Sequence, residues 1–181
     1  MKIETSTVTK LLISELDALD PVTVFLEDFE PGKGKITISC YGKSWTSYWG
    51  AMSGDDVATF VSRTSPDYLI GCLAPQLNST RFSGEELSKK VRQTILKDRR
   101  QRDLVANDAR ELFDEANDLD QAPSLDYLHG AHSDLMYRVF GDEWWYSADG
   151  CSVPNPDYAY LERIVNSVKQ ALKTTSGGVK A

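Results

Sequence analysis

An α+β fold, with a small antiparallel sheet and several helices packed mainly on one face of it, is predicted by three features of this 181-residue sequence. Short β-prone runs separated by glycine-containing turns crowd into residues 22–49. Helical periodicity with capping signals dominates after residue 53. No repeat or long linker interrupts the chain, so one domain is expected over residues 1–176, with a short flexible tail at 177–181.

Taken in order, residues 5–19 read as a helix, because Val8, Leu11, Leu12, Leu16 and Leu19 recur at helical spacing before Pro21. VTVFLED reads as a strand, PGKG as a turn, and KITISCY as a second strand whose Ile36, Ile38 and Cys40 alternate with polar residues. Tyr41-Gly42-Lys43-Ser44 then closes a hairpin into WTSYW. Ser53-Gly-Asp-Asp56 and Ser83-Gly-Glu-Glu86 have the spacing of capping boxes, each opening a helix. The second helix carries Leu87, Val91 and Ile95 on one stripe and is expected to run to about residue 102. YLIGCLA is apolar but too short to assign to helix or strand.

A break near Ala106-Asn107 separates that helix from another, for which Asp108-Ala-Arg-Glu111 resembles a cap. Residues 125–140 read as helical. EWWYSA reads as a strand returning to the sheet. Asn155-Pro156 starts a final helix on the stripe Leu161, Ile164, Val165, Val168 and Leu172. TTSGGVKA reads as a frayed end.

Composition narrows the function classes. No apolar run approaches the roughly 18 residues that cross a bilayer, so no membrane role is expected. MKIETSTVTK has no apolar export segment, and Cys40, Cys72 and Cys151 form no CxxC pair. A cytoplasmic location with reduced thiols is therefore expected. The net charge of −7 opposes loose binding to nucleic acid. It is unevenly spread, though: residues 84–102 carry seven Lys or Arg against three carboxylates, and residues 103–126 carry eight carboxylates against Arg110 alone.

ITISCYGKSWTSYWG raises the question of whether its aromatics are core or contact surface. In a strand Trp45 and Trp49 point one way and Tyr48 the other. Burial under helices is the plainer reading. An aromatic surface for a partner protein is the sharper one, since aromatics anchor interfaces. Gly42-Lys43-Ser44 does not complete a phosphate loop, because Thr37 stands where the first glycine is required, and no dinucleotide fingerprint is present. No cofactor is implied.

Three further clusters bear on chemistry. Asp126, His129 and His132 share a face if their helix is continuous, and could hold a divalent metal for a hydrolase; Gly130 weakens that helix, and no HExxH pattern accompanies it. The thiols of Cys40 and Cys72 lie in apolar runs and read as inert. The basic segment KKVRQTILKDRRQR offers Lys89, Arg92, Arg99 and Arg102 as a polar face beside the apolar stripe. That face suits an acidic protein partner, a nucleic acid, or the chain's own carboxylates. The acidic segment 103–126 raises the inverse possibility, a DNA mimic acting as an inhibitor.

PGKGKITISCYGKSWTSYWG, followed by a short capped helix and SPDYLIGCLAP, resembles small accessory proteins encoded by bacteriophages and prophages over about residues 27–75. The resemblance implies a bacterial cytoplasm and an action on host or phage proteins, and supplies no catalytic residue. The leading expectation is a non-enzymatic protein-interaction module. Its partner contacts are Trp45, Tyr48, Trp49, Lys89, Arg92, Arg99 and Arg102. The metal-assisted hydrolase, the nucleic-acid binder and the DNA mimic are the alternatives.

Overall fold

In the computed structural model, which describes residues 1–177, the chain opens with strands β1 (Thr9–Ile13), β2 (Val22–Glu30), β3 (Lys33–Cys40) and β4 (Lys43–Trp49). Helices α1 (Val57–Arg63) and α2 (Pro66–Leu73), strand β5 (Thr80–Phe82) and helices α3 (Gly84–Gln101) and α4 (Ala106–Glu115) follow. A 3-10 turn (Asp118–Gln121), helices α5 (Leu125–Ala131), α6 (Ser133–Phe140) and α7 (Trp144–Asp149), strand β6 (Ser152–Pro154) and helix α8 (Pro156–Gly177) complete it. These elements form two compact units: residues 1–78 with the segment from Pro156 onward, and residues 79–155.

The first unit is an antiparallel meander in the order β1-β2-β3-β4, with α1, α2 and α8 over one face. The period-two pattern dictates this. Val22, Val24 and Leu26 of β2 pair across to Cys40, Ile38 and Ile36 of β3, and all six are buried. They meet Val61, Leu69 and Ile70 from α1 and α2, and Leu161, Ile164 and Val168 from the stripe of α8. The opposite face carries Thr37, Ser39, Ser44 and Thr46, joined by hydroxyl hydrogen bonds in solvent, the one-sided arrangement open to antiparallel sheets. Tyr41 and Gly42, both at positive φ (46° and 75°), form the two-residue hairpin loop between Cys40 and Lys43, the handedness that suits twisted strands. At Gly34 a side chain would collide with the Val57 side chain of α1 and the Glu27 carbonyl, so glycine lets the helix start close to the sheet.

The second unit is helical, built around α3. Leu87, Val91 and Ile95 are buried as a stripe against Leu112 of α4, Ala116 at its C-cap, Leu119 of the 3-10 turn and Leu135. Ser83 caps α3 by accepting from the Glu86 N–H at 3.2 Å. Strands β5 and β6 pair antiparallel as a separate two-stranded sheet.

The α+β class and the meander agree with the sequence reading, and several elements do not. Residues 5–19 are not a helix: Thr9–Ile13 is captured as β1 by β2, and the leucines that looked helical divide, Leu11 toward the core and Leu12 into solvent. β-branched Thr5, Thr7, Val8 and Thr9 had favoured extension. EWWYSA is not a strand: Glu143 stands before α7 and Trp144–Ala148 lie within it, where Trp144 and Ala148, four apart, share the buried side. The strand that follows, β6, pairs with β5 and not with the meander. Residues 125–140 split at His132, whose φ of −134° ends α5. The cap of α1 is Asp56 rather than Ser53, and α4 begins at Ala106, ahead of Asp108, with no side-chain cap. α8 continues through Gly177, over the first part of the expected frayed end; residues 178–181 of the expected tail lie outside the described residues.

Candidate functional site

The basic segment resolves into two halves with different duties. Lys89 is held by Glu85 and Glu86, each at 2.9 Å, and these hydrogen bonds, Glu86 first, raise its pKa above the usual lysine value. Lys90 donates to the Ser147 carbonyl at 2.6 Å and lies over the Phe140 ring. Arg92 donates to the Asn117 side chain, stands 3.9 Å from Asp120 and covers the Phe113 ring at 5.6 Å. Lys90 and Arg92 tie α3 to its neighbours, and Lys89 is paired within α3 itself. In the C-terminal half, Lys97, Arg99, Arg100 and Arg102 are exposed, and none forms an ion pair among the described residues. The end of a helix is where its dipole favours cations.

Beside that cationic end, α3 and α4 leave an apolar groove of about 270 Å3. Ile95, Leu96, Ala109 and Phe113 line it, with Arg99, Arg110 and Asp114 at its rim. Leu96 is 45% exposed although its neighbour Ile95 is buried. The hydroxyl of buried Ser88 fixes the two walls, donating to the Ala116 carbonyl at the end of α4 at 2.6 Å. The groove thus combines an apolar floor with charged sides, the distribution found in protein interfaces.

The aromatic hairpin lies in the other unit. Trp49 is 6% exposed and packs on Phe60 with ring centroids 5.3 Å apart, and Trp45 is half-buried against the same core. Tyr48 points away, 57% exposed, with Phe29 at 6.1 Å. Of the three expected aromatic contacts, Tyr48 alone presents most of its ring to solvent.

The alternative metal cluster of Asp126, His129 and His132 finds no support among the described residues. His129 stacks on Trp144 at 4.5 Å, and His132, at the break between α5 and α6, packs on Tyr127 at 5.7 Å. Among the described residues no group of three His, Cys, Asp or Glu side chains is placed to hold a metal ion. Cys40 and Cys151 are buried, and burial pushes the Cys151 thiol pKa up, away from a nucleophilic thiolate. The acidic segment is divided among the α3–α4 loop, α4, the 3-10 turn and α5, with Glu111 paired to Arg138 at 3.4 Å and Asp120 facing Arg92. Among the described residues no helix is long and apolar enough to cross a membrane.

Compared with known proteins, residues 1–174 match the model of Phage_phiTE_072, described as a phage family. The chain belongs to this phage family. The likeness first visible over residues 27–75 therefore extends through both units. No curated protein and no solved structure matches it.

In this phage protein the groove escaped the sequence reading because its second wall comes from α4. One signal was present: Leu96 sits beside the Leu87–Val91–Ile95 stripe rather than on it, so its burial requires something beyond the helix's own partners. A second exposed aromatic group, Trp145 and Tyr146, escaped because the segment read as a strand.

Proposed function

We propose that this phage protein is a non-enzymatic interaction module that binds and modulates a host or phage protein in the bacterial cytoplasm. The groove between α3 and α4 receives apolar side chains of the partner, and the cations at the end of α3 meet its carboxylates. One observation carries the reading: Arg99 lines an apolar groove at the end of α3, where Lys97, Arg100 and Arg102 are also exposed and unpaired among the described residues. A protein helix with acidic flanks fits both features. A nucleic acid would use the cations but leave the apolar floor empty, and would meet the carboxylates of α4.

Capture from host and infected-cell lysates tests the reading with Arg99→Glu/Arg102→Glu beside the unaltered chain. Charge reversal at exposed positions leaves folding intact and is expected to abolish retention of the specific partner. A folded double variant that retains the same protein equally well removes the cationic end from the proposal. Retention of short DNA or RNA that fades steeply with salt would favour the nucleic-acid alternative instead.

A further inference from the structure

Helices α5, α6 and α7 pack on one another and leave Tyr127, Tyr137, Trp145 and Tyr146 exposed. The core needs of these helices are already met by Leu128, Leu135, Met136 and Trp144. Trp145 is 40% and Tyr146 71% exposed, with their rings 5.9 Å apart. Trp145 leans edge-on against buried Trp144 at 6.2 Å, and His129 stacks on that same ring. An exposed tryptophan backed by a buried one is already oriented, so little rotamer freedom is lost when something binds it.

The free charges that α5, α6, α7 and the turn before α7 place beside these rings are negative; the two nearby cations, Lys90 on the Ser147 carbonyl and Arg138 on Glu111, already have partners. Asp126 adjoins Tyr127, and Asp142 and Glu143 lead directly into Trp144-Trp145. On α6 Asp134 stands three residues before Tyr137, and on α7 Asp149 stands three and four residues after Tyr146 and Trp145, spacings that share a helix face. All five carboxylates are exposed and none forms an ion pair among the described residues. The sole Lys or Arg of residues 125–149, Arg138, is paired with Glu111.

We infer that this surface docks an arginine- or lysine-rich segment of a partner protein. The faces of Trp and Tyr attract guanidinium and ammonium groups, and adjoining carboxylates complete their hydrogen bonding. Aromatic platforms also suit single-stranded nucleic acid, but they do so within a positive groove, and this one is negative. The inference is independent of the α3–α4 groove, from which it differs in residues and in charge, so either can fail alone.

The test titrates the full chain at low salt, by calorimetry, with a dodecapeptide of alternating arginine and alanine and with its glutamate–alanine counterpart. The basic peptide is expected to bind and the acidic one not. Trp145→Ala/Tyr146→Ala is expected to weaken binding about tenfold, and Asp142→Asn/Glu143→Gln about fivefold, while Tyr48→Ala in the other unit changes it less than about twofold. Should the aromatic double variant fail to fold by circular dichroism, Tyr146→Ala alone is expected to weaken binding about threefold. Absence of binding by the unaltered chain overturns the inference. So does unchanged affinity in the folded aromatic variant, or an equal loss in Tyr48→Ala, which would reduce the effect to general attraction by an acidic protein.

Discussion

Replacing Ser88 with alanine removes one oxygen and is expected to loosen the α3–α4 pair. Ser88 is fully buried, and its hydroxyl donates to the Ala116 carbonyl at 2.6 Å. That carbonyl closes α4, where the last turn of a helix leaves acceptors without an intrahelical donor. Alanine keeps the shape of the packing and deletes the donor, so the cost is that of a buried acceptor left unpaired, about 1–3 kcal/mol. A loss of that size lowers the folded-to-unfolded ratio of the 79–155 unit roughly 5- to 150-fold. With a urea dependence of about 2 kcal/mol per molar, the unfolding midpoint falls by about 0.5–1.5 M. Hydrogen exchange adds locality: amides of α3 and α4 are expected to exchange faster while those of the meander do not. Ser39→Ala is the matched control, because the Ser39 hydroxyl also donates to a carbonyl, that of Lys43, but in solvent where water replaces it. Its effect is expected within about 0.5 kcal/mol. Equal effects of the two substitutions, or protected α4 amides in Ser88→Ala, would refute the assignment of Ser88 as the tie between the groove walls.

Two other outcomes follow from particular residues. Burial, reinforced by donation of its hydroxyl to Asp67 at 2.8 Å, pushes the Tyr158 pKa up to about 12. The unfolded chain loses this proton near pH 10 while the folded chain keeps it to about 12. Its contribution is therefore complete below pH 10 and lost as pH rises to 12; Tyr158→Phe is expected to flatten that decline in urea titrations. Arg102 ends α3 at a φ of 68°, a left-handed conformation that strains any residue with a Cβ. Arg102→Gly is expected to raise thermal stability by about 0.5–1 kcal/mol while weakening partner capture, which separates the residue's two roles.

The parts of the fold governed by local rules were open to the sequence. Alternation of Ile36, Ile38 and Cys40 named the inner face of β3, Tyr41-Gly42 named its turn, and Ser83 and Pro156 marked helix starts that the structure keeps. The failures share a cause. Leucines near residue 12 and tryptophans near residue 144 are compatible with either period over such short segments, and the choice was made by distant partners, β2 in one case and the buried cluster of α3, α4 and α6 in the other. The site was half visible. The basic face could be seen in α3, but not which cations the 3-10 turn, α7 and the first turn of α3 would occupy, because those partners lie as far as 57 residues along the chain.

A photoreactive residue placed at position 96 reports what occupies the groove, since Leu96 lies on its exposed wall beside Arg99. In phage-infected cells it is expected to crosslink one dominant protein through an acidic, amphipathic segment, and to lose that product when Arg99→Glu/Arg102→Glu is added. Absence of any crosslink from position 96, with a phage or host protein trapped instead from the exposed Tyr41 position of the other unit, would remove the α3–α4 groove as the docking site.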